Sequence, residues 1–468
     1  RSMLLVVLVT ITSVFIGVSI AWLTARTDIP LRRWITVLSA LPLVIPSYVF
    51  ALMVVTTLGP RGSLQQALEP LGVDRLPSIF GLPGAVLTLS LLSYPYVMLP
   101  VRAALHRLDP ATEEAARGLG HSPWATLWRV TLPMIRPGIV AGALLVALYT
   151  LSDFGAVSLL RYQTFTFAIF IQFESALDFS SAAALSLVLV LLAMTLLALE
   201  SWNRGQGRYY RTTPGSTRMS RPVQLGKYRW PLVVVVGGIV LLALVIPVGT
   251  LLFWVVRGVG AGESFGGLFA EVIGTAGVSL TAAFVAALIG IPIAVLSVRF
   301  PSRTSSGLER LTFIGFALPG VSVALAFVFF ATAIARPIYQ TTFLLVIAYV
   351  VLFLPAAVGA IQVSLRQVSP RIEEAARGLG KTSYQAFLLV TLPLLSRGVA
   401  AGAALVFLLS MKELPATLIL APIGFETLAT SVWSAASEAF YARAALPALL
   451  LVITASVPMA LIVIRERR

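Results

Sequence analysis

Apolar runs of about 18 or more residues recur along the whole 468-residue chain and constrain its fold more than any other feature. Each is long enough to cross a hydrocarbon core of about 30 Å as a helix. Hydrocarbon cannot satisfy bare backbone groups, and the runs lack the alternation of barrel strands, so we predict an all-α integral membrane protein. The eleven predicted spans are 3–25, 34–58, 82–105, 137–160, 180–200, 230–256, 271–298, 309–334, 341–366, 397–420 and 444–464.

The basic residues are distributed unevenly between the two sides of the membrane. Only 11% of the residues are charged, against about 25% in soluble domains, yet the net charge is +15. With loops assigned alternately, the side that holds residues 113–120, 201–229, 373–380 and the C-terminus has 26 of the 34 Lys and Arg residues. The other side has 6, and Arg1 and Lys412 fall outside the count. By the positive-inside rule the first side is cytoplasmic, so the charge requires no nucleic acid partner.

The segment 201–229 is predicted to be a cytoplasmic basic linker. It carries seven basic and no acidic residues, and it is rich in Gly, Pro and Ser. Such a segment beside a membrane is attracted to anionic lipid, which we expect as its partner. A specific nucleic-acid or regulatory site is the alternative.

Several kinds of chemistry have no residues to support them. The chain has no cysteine, which excludes disulfides, thiolate metal sites and thiol nucleophiles. Its two histidines, His106 and His121, belong to no metal-binding pattern. A membrane hydrolase would need a metal-ligand cluster or a nucleophile with a neighbouring base, and the sequence offers neither. We therefore expect that the chain is not an enzyme and has no cofactor of its own.

An octamer, EEAARGLG, occurs at 113–120 and again at 373–380. The same offset of 260 residues relates the Thr-Leu-Pro triplets at 131–133 and 391–393, and further upstream the Leu-Pro pair 41–42 matches 318–319 at an offset of 277. The chain is therefore predicted to be a tandem duplication, with a first half at 1–200 and a second at 230–468. The larger upstream offset places the extra residues of the first half in its external loop around 60–81.

Both octamers lie on the cytoplasmic side, so the two halves are expected to have the same orientation. Each complete half should then hold an even number of spans. The second half has six, but the first has five, because span 3–25 matches 275–298 and the helix at 230–256 has no counterpart. The expectation is that a first helix is missing and that the intact protein has twelve.

Each octamer is predicted to form a short helix outside the bilayer. Asp109-Pro110 and Ser369-Pro370 place a capping side chain before a proline at the first helical position. Acidic residues follow early, and the glycines end the helix. Loops between membrane helices often form such helices without a partner, but that alternative does not explain why two distant loops have one surface.

The pattern EAA, three residues, Gly, nine residues, an apolar residue, one residue and Leu-Pro fits both halves, with Val130 and Val390 at the apolar position. It resembles the cytoplasmic loop of type I binding-protein-dependent ABC importer permeases. The resemblance implies that each loop docks as a coupling helix on one of two cytoplasmic ABC ATPase subunits. The coupling residues it implies are Glu113, Glu114, Ala115, Ala116, Gly118, Gly120, Glu373, Glu374, Ala375, Ala376, Gly378 and Gly380.

Gly380-Lys381-Thr382 imitates the end of a phosphate-binding P-loop. The glycine required five positions earlier is Ala375, and no strand is predicted before it. ATP and Mg are therefore expected on the partner ATPases and not on this chain.

Three charged residues, Asp153, Lys412 and Glu413, lie in the interior of predicted spans, away from the span ends. Charged groups in membranes are costly and usually line a substrate path or pair with each other. Asp153 and Glu413 are 260 residues apart, so they should occupy equivalent places in the two halves. Lys412 could line the path or neutralise one of the carboxylates, and these two roles are compatible. Gly155 and Pro415 should loosen the helices nearby.

The stretches 151–170 and 411–433 resemble those of ferric-iron permeases, in which both halves are commonly fused, although residues 421–423 read Ala-Pro-Ile where a basic residue is expected. The resemblance implies uptake of ferric iron from an external solute-binding protein across a bacterial inner membrane. No firm metal site is predicted, but Asp153 and Glu413 are possible transient contacts, since ferric ion prefers oxygen ligands. Thiamine or phosphonate uptake by the same kind of permease, or an ion-coupled secondary transporter, are the alternatives.

Overall fold

The structure is a computed structural model that describes residues 1–60, 62–73, 75–108, 110–204, 222–263 and 266–465. It is built from helices, as predicted, with one isolated β-bridge among the described residues. Asp109, most of the predicted linker 201–229 and the last three residues of the second half lie outside the described residues.

The first half contains eleven α-helices among its described residues. They are α1 Ser2–Arg26, α2 Arg32–Ala40, α3 Ser47–Leu58, α4 Ser63–Leu68, α5 Leu82–Arg107, α6 Pro110–Gly118, α7 Pro123–Thr126, α8 Leu132–Ser152, α9 Gly155–Leu159, α10 Phe165–Glu174 and α11 Phe179–Arg204.

The second half begins with two additional helices, α12 and α13, and then repeats the order of the first half without a counterpart of α4. Its helices are α12 Arg229–Val240, α13 Ile246–Gly260, α14 Leu268–Arg299, α15 Arg303–Ile314, α16 Gly320–Ala333, α17 Thr342–Gln367, α18 Pro370–Gly378, α19 Ser383–Ala386, α20 Leu392–Met411, α21 Pro415–Leu420, α22 Leu428–Ser437 and α23 Tyr441–Arg465.

By length and composition, eight described helices can each cross a membrane. Two bent pairs raise the number to ten: Arg32–Val44 with Ser47–Gln66, bent by 101°, and Arg303–Ala317 with Gly320–Ala333, bent by 110°. The predicted count of eleven is not confirmed.

Two predicted spans end earlier than the apolar pattern suggested. The span predicted at 137–160 stops as α8 at Ser152, and the chain resumes as the short α9 at Gly155. The span predicted at 397–420 stops as α20 at Met411 and resumes as α21 at Pro415. Each break lies at the ionisable residues inside the apolar run, where Gly155 and Pro415 were expected to loosen the helix.

The chain forms two compact units, one of Arg1–Ala168 with Leu191–Arg257 and the other of Ile169–Val190 with Gly258–Arg468. In the first unit α1, α5 and α8 pack on one another, and in the second unit α14, α17 and α20 do the same. These contact-based units do not decide where the duplicated sequence halves begin and end, so the half boundaries stay a prediction.

The unmatched helix at 230–256 belongs to the first unit. It is formed by α12 and α13 with a π-helical turn at Leu241–Val245 between them, and it contacts α2 and α5. The chain before it is tied to the loop after α1, where Thr27 and Val223 form a β-bridge. The backbone N–H of Leu225 donates to Asp28 over 2.9 Å, and Arg229 forms an ion pair with the same carboxylate, so both lower the pKa of Asp28.

The structure corrects the predicted register of the upstream repeat. Helices α3 and α16 begin directly after Pro46 and Pro319, which precede their first residues in the same extended conformation. Pro319 therefore corresponds to Pro46 rather than to Pro42, and the offset is 273 instead of 277. The first half has two nearby pairs, Leu41-Pro42 and Ile45-Pro46, and the sequence alone did not show which of them corresponds to Leu318-Pro319. The extra residues lie between α3 and α5, where the sequence placed them.

Equivalent apolar side chains of the two halves are exposed on the outside of each unit. Ile11 and Phe15 of α1 are more than half exposed, and so are Phe284 and Leu288, their counterparts on α14. Water would penalise such a surface, whereas hydrocarbon would not. The exposure fits helices that face lipid.

Candidate functional site

The two octamers form helices α6 and α18, which we call the docking helices. Each ends at the first glycine of its octamer, Gly118 or Gly378. Two residues later, Gly120 and Gly380 adopt φ values of 87° and 86°, a left-handed conformation that side chains disfavour. The backbone N–H of Gly120 donates to the Arg117 carbonyl over 3.0 Å, which closes the helix end. The prediction that these glycines end the helices is confirmed.

The predicted capping at the other end is only partly confirmed. Pro370 occupies the first turn of α18 as expected, and Ser369 lies at the cap position. The Ser369 side chain makes no capping hydrogen bond, so the prediction that it caps the helix is wrong. Its backbone is extended, and its carbonyl accepts from the N–H of Ile372 over 3.1 Å. The equivalent Asp109 lies outside the described residues.

The outward face of each docking helix contains the second glutamate and the leucine of the octamer. Glu114 and Glu374 are exposed, and Ala115 and Ala375 beside them are exposed too. Leu119 is 83% exposed and Leu379 is 84% exposed. Repeated large apolar side chains that protrude into water next to small residues are typical of a contact surface.

The inward face contains the first glutamate. Thr131 donates its hydroxyl to Glu113 Oε1 over 2.8 Å, and Arg26 Nη2 lies 3.5 Å from the same oxygen. Ala116 packs on this face and is buried, while its counterpart Ala376 is half-buried. The sequence indicated the glutamates but not their partners, since nothing in the octamer points to Arg26.

The chain leaves each docking helix through a short helix and a π-helical turn, Leu127–Thr131 or Phe387–Thr391, before α8 or α20 begins. Thr131 and Thr391 are the last residues of these turns and the first of the repeated Thr-Leu-Pro triplets. π-helical turns are rare in proteins, and those that occur are often found at functional sites. Both halves therefore join the docking helix to a core helix through the same irregular element.

Gly380-Lys381-Thr382 lies in a turn between two helices, α18 and α19. The N–H of Lys381 donates to the Ala376 carbonyl, and Thr382 accepts from the N–H of Gln385 to cap α19. A P-loop would need a strand before its glycines, and here a helix precedes them.

Asp153 lies in the break between α8 and α9 and is 7% exposed. Its Oδ1 accepts from the backbone N–H groups of Ala156 over 3.0 Å and Val157 over 3.4 Å, so Asp153 caps α9. The hydroxyl of Ser47, the first residue of α3, also hydrogen-bonds this carboxylate. The Asp153 side chain therefore lies at the N-terminal ends of α3 and α9, where helix dipoles favour a carboxylate.

Glu413 occupies the equivalent break between α20 and α21. Its Oε1 accepts from the N–H of Ala416 over 3.2 Å, and a Cβ added at Gly320, the first residue of α16, would overlap that oxygen. Lys412, half-buried, follows α20 directly, and its N–H donates to the Leu409 carbonyl. The roles of Asp153, Lys412 and Glu413 in a substrate path stay a prediction.

Across the described ranges, no three His, Cys, Asp or Glu side chains lie together in a group that could hold a metal ion. Asp153 and Glu413 each lie among backbone and hydroxyl donors instead.

A family model described as the binding-protein-dependent transport system inner membrane component matches residues 13–202 and again 286–468. The chain belongs to this family. The two matches cover both duplicated parts of the sequence, which agrees with a permease built from two fused halves.

Relatives match the chain over different lengths. The ferric-iron transport system permease protein FbpB 2 of Haemophilus influenzae is 35% identical over 468 residues, covering 99% of this chain and 88% of the relative. The molybdenum transport system permease protein ModB of Azotobacter vinelandii is 32% identical over 204 residues, covering 42% of this chain and 89% of the relative. The sulfate transport system permease protein CysW of Synechocystis is 34% identical over 190 residues, covering 39% of this chain and 67% of the relative.

Membership identifies the chain as a permease of an ABC importer and as a multi-pass protein of the bacterial inner membrane. The relatives are named as permease proteins, so the chain is a transport component rather than an enzyme. The match to ModB covers 89% of ModB but only 42% of this chain. ModB therefore has about the length of one duplicated part of this chain.

Proposed function

We propose that the chain takes up ferric iron, delivered by an external solute-binding protein, through ATP-driven alternating access. The observation that carries the proposal is the match to the ferric-iron permease FbpB 2, which extends over both duplicated parts, whereas the molybdenum and sulfate permeases match about two fifths of the chain. ATP and Mg would bind to separate cytoplasmic ATPase subunits. Each ATPase can drive the permease only through different affinities for its inward-facing and outward-facing states.

Asp153 and Glu413 support an oxygen-rich path for a hard cation. Each carboxylate already accepts at least one backbone N–H, so a contact with the passing ion would be transient and would compete with a helix cap. Weak, competing contacts suit a transporter, because a site that binds too tightly would not release its ion.

The test of the substrate is uptake in proteoliposomes that hold the chain, its ATPase and its binding protein. We expect ATP-dependent accumulation of radioactive ferric iron, without accumulation of molybdate or sulfate. ATP-dependent uptake of molybdate or sulfate in place of iron would contradict the proposal. Iron uptake driven by an ion gradient, with the chain alone in the vesicle, would instead indicate a secondary transporter.

We also propose that the docking helices each bind one ATPase subunit. Two copies of one exposed surface require two matching binding sites, and a complex with two identical ATPase subunits provides them. Small side chains such as Ala115 allow a partner backbone to approach closely, while Leu119 offers an apolar anchor for a pocket. Glu114 is exposed and available to a basic partner residue.

Leu119→Asp together with Leu379→Asp should weaken ATPase binding by about tenfold or more, because each change places a charge on an apolar anchor. The leucines are exposed, so the fold of the free chain should be unaffected. The measurement is ATPase binding to the purified permease by surface plasmon resonance. Leu71→Asp is the matched control, since Leu71 is 77% exposed but lies on the predicted external side. Equal affinities for the control and the double variant would contradict the docking proposal.

A further inference from the structure

The two adjacent glutamates of each octamer have different surroundings. Glu114 is exposed on the docking helix, whereas the Glu113 side chain is 13% exposed and contacts Arg26 and Thr131. A residue whose carboxylate already bonds inside its own chain has little capacity for a partner protein. The octamer therefore combines an outward-facing and an inward-facing acidic residue.

The second half repeats the inward cluster with the same distances. Thr391 donates to Glu373 Oε1 over 2.8 Å, and Arg299 Nη2 lies 3.5 Å from that oxygen. Arg299 also donates to the carbonyl of Val368, just before docking helix α18. The geometry is thus a property of both halves.

The side chains of Arg26 and Arg299 are largely shielded from solvent, where an unpaired charge is energetically unfavourable. Arg26 is 7% exposed, and its Nε and Nη2 make no hydrogen bond within the described part of the chain. Glu113 is its ion-pair partner there, at a distance longer than a hydrogen bond. Removing one member of such a pair leaves the other charge buried and uncompensated, so the two side chains are strongly dependent on each other.

The cluster joins three elements that are far apart in sequence. Arg26 is the last residue of α1, Glu113 is in the first turn of α6, and Thr131 ends the π-helical turn before α8. Helices α1 and α8 pack together in the core of the first unit. A displacement of the docking helix therefore acts directly on the ends of two core helices, through one carboxylate.

We propose that Glu113 and Glu373 are positioning residues that transmit movement from the docking helices to the core helices, while Glu114 and Glu374 contact the ATPases. The inference rests on the proposed function, and it divides the docking helix into a binding face and a transmitting face. Arg26 and Arg299 are the core-helix ends of the connection, and Thr131 and Thr391 orient the carboxylates.

The first experiment compares two double variants. One carries Glu113→Gln together with Glu373→Gln, and the other carries Glu114→Gln together with Glu374→Gln. Glutamine keeps an oxygen that accepts from Thr131 or Thr391 but removes the ion pair. For the Glu113 and Glu373 variant we expect ATPase affinity within about twofold of the wild type and iron uptake per ATP hydrolysed reduced by at least about fivefold. For the Glu114 and Glu374 variant we expect reduced ATPase affinity.

Unchanged uptake per ATP in the Glu113 and Glu373 variant would overturn the inference. So would a loss of ATPase affinity equal to that of the Glu114 and Glu374 variant, because Glu113 would then be a binding residue. A wild-type chain that binds no ATPase would instead refute the proposed function, so the two failures are distinguishable.

A second measurement needs no ATPase. The chain has no cysteine, so Leu119→Cys provides a single attachment site for a spin label at the end of docking helix α6. Glu113→Gln should increase the mobility of that label in the electron paramagnetic resonance spectrum, because the helix loses its connection to Arg26. A label at Leu71→Cys should be unaffected. Unchanged mobility at position 119 would overturn the inference.

Discussion

Gly142→Leu should leave little folded chain in the membrane, whereas Gly277→Leu should leave its amount unchanged. A Cβ at position 142 would lie 2.6 Å from Val97 Cα and 2.9 Å from the carbonyl oxygen of Tyr96. These are backbone atoms of α5, which cannot move aside unless α5 and α8 separate. Alanine alone should cost about 1–3 kcal/mol by overpacking. This exceeds the roughly 1 kcal/mol that alanine gains over glycine in helix propensity.

Gly277 provides a matched control because it also lies inside a core helix, α14. It is exposed, and a Cβ added there would meet no atom within 4 Å. Alanine at 277 should therefore be neutral or slightly stabilising. The measurements are the yield of monodisperse protein by gel filtration and the midpoint of thermal unfolding in detergent. Equal midpoints for Gly142→Leu and Gly277→Leu would contradict the close packing of α5 and α8.

The repeat of Gly138 and Gly142 as Gly398 and Gly402 was visible in the sequence, but its reason was not. Each pair has the spacing at which two glycines lie on one face of a helix, where they allow a neighbouring backbone to approach. The structure shows that the neighbours are α5 for the first pair and α17 for the second. A single sequence gives the spacing of small residues without the identity of the helix that packs on them.

The membrane spans could be predicted because long apolar runs have one dominant physical cause. The breaks at Asp153 and at Lys412 to Leu414 could be predicted only in part, since the apolar composition continues across them into α9 and α21. Hydropathy measures the preference of a segment for lipid, whereas the helix ends where a side chain satisfies backbone N–H groups. The sequence identified the carboxylates as unusual but not as caps.

The docking helices were predictable from the repeated octamer, and the glycines at their ends were predictable from backbone geometry. The different environments of Glu113 and Glu114 were not. They depend on which face of α6 packs inward and on Arg26, which is distant in sequence and lies at the end of another helix. Local patterns define a helix, but its orientation is decided by tertiary contacts.

The carboxylates in the two broken helices differ in side-chain length, and the residue opposite each one differs to match. The first half combines Asp153 with Ser47, whose hydroxyl reaches the shorter carboxylate. The second half combines Glu413 with Gly320, which leaves space for the longer side chain. Ser47 and Gly320 are equivalent first residues of α3 and α16. Each half thus fills the same gap with a different pair, which indicates that the two positions are energetically coupled.

Gly320→Ser should destabilise the chain by about 1–3 kcal/mol, because the new side chain displaces Glu413 from the N–H of Ala416 and leaves a buried donor unsatisfied. Adding Glu413→Asp should restore most of this loss. The shorter carboxylate frees the space and accepts from the serine, as Asp153 does from Ser47. In the first half, Asp153→Glu should likewise be destabilising and should recover when Ser47→Gly is added.

The decisive quantity is the interaction free energy of each double-mutant cycle, measured from thermal unfolding midpoints in detergent. Residues in direct contact give interaction energies of about 0.5–3 kcal/mol, whereas independent positions add within about 0.5 kcal/mol. A cycle of Gly277→Ala with Glu413→Asp is the control, for which additive effects are expected, because a Cβ added at Gly277 would meet no atom within 4 Å. If the cycle of Gly320 with Glu413 were additive too, the carboxylate would not depend on the first residue of α16. The caps would then be set by α9 and α21 alone.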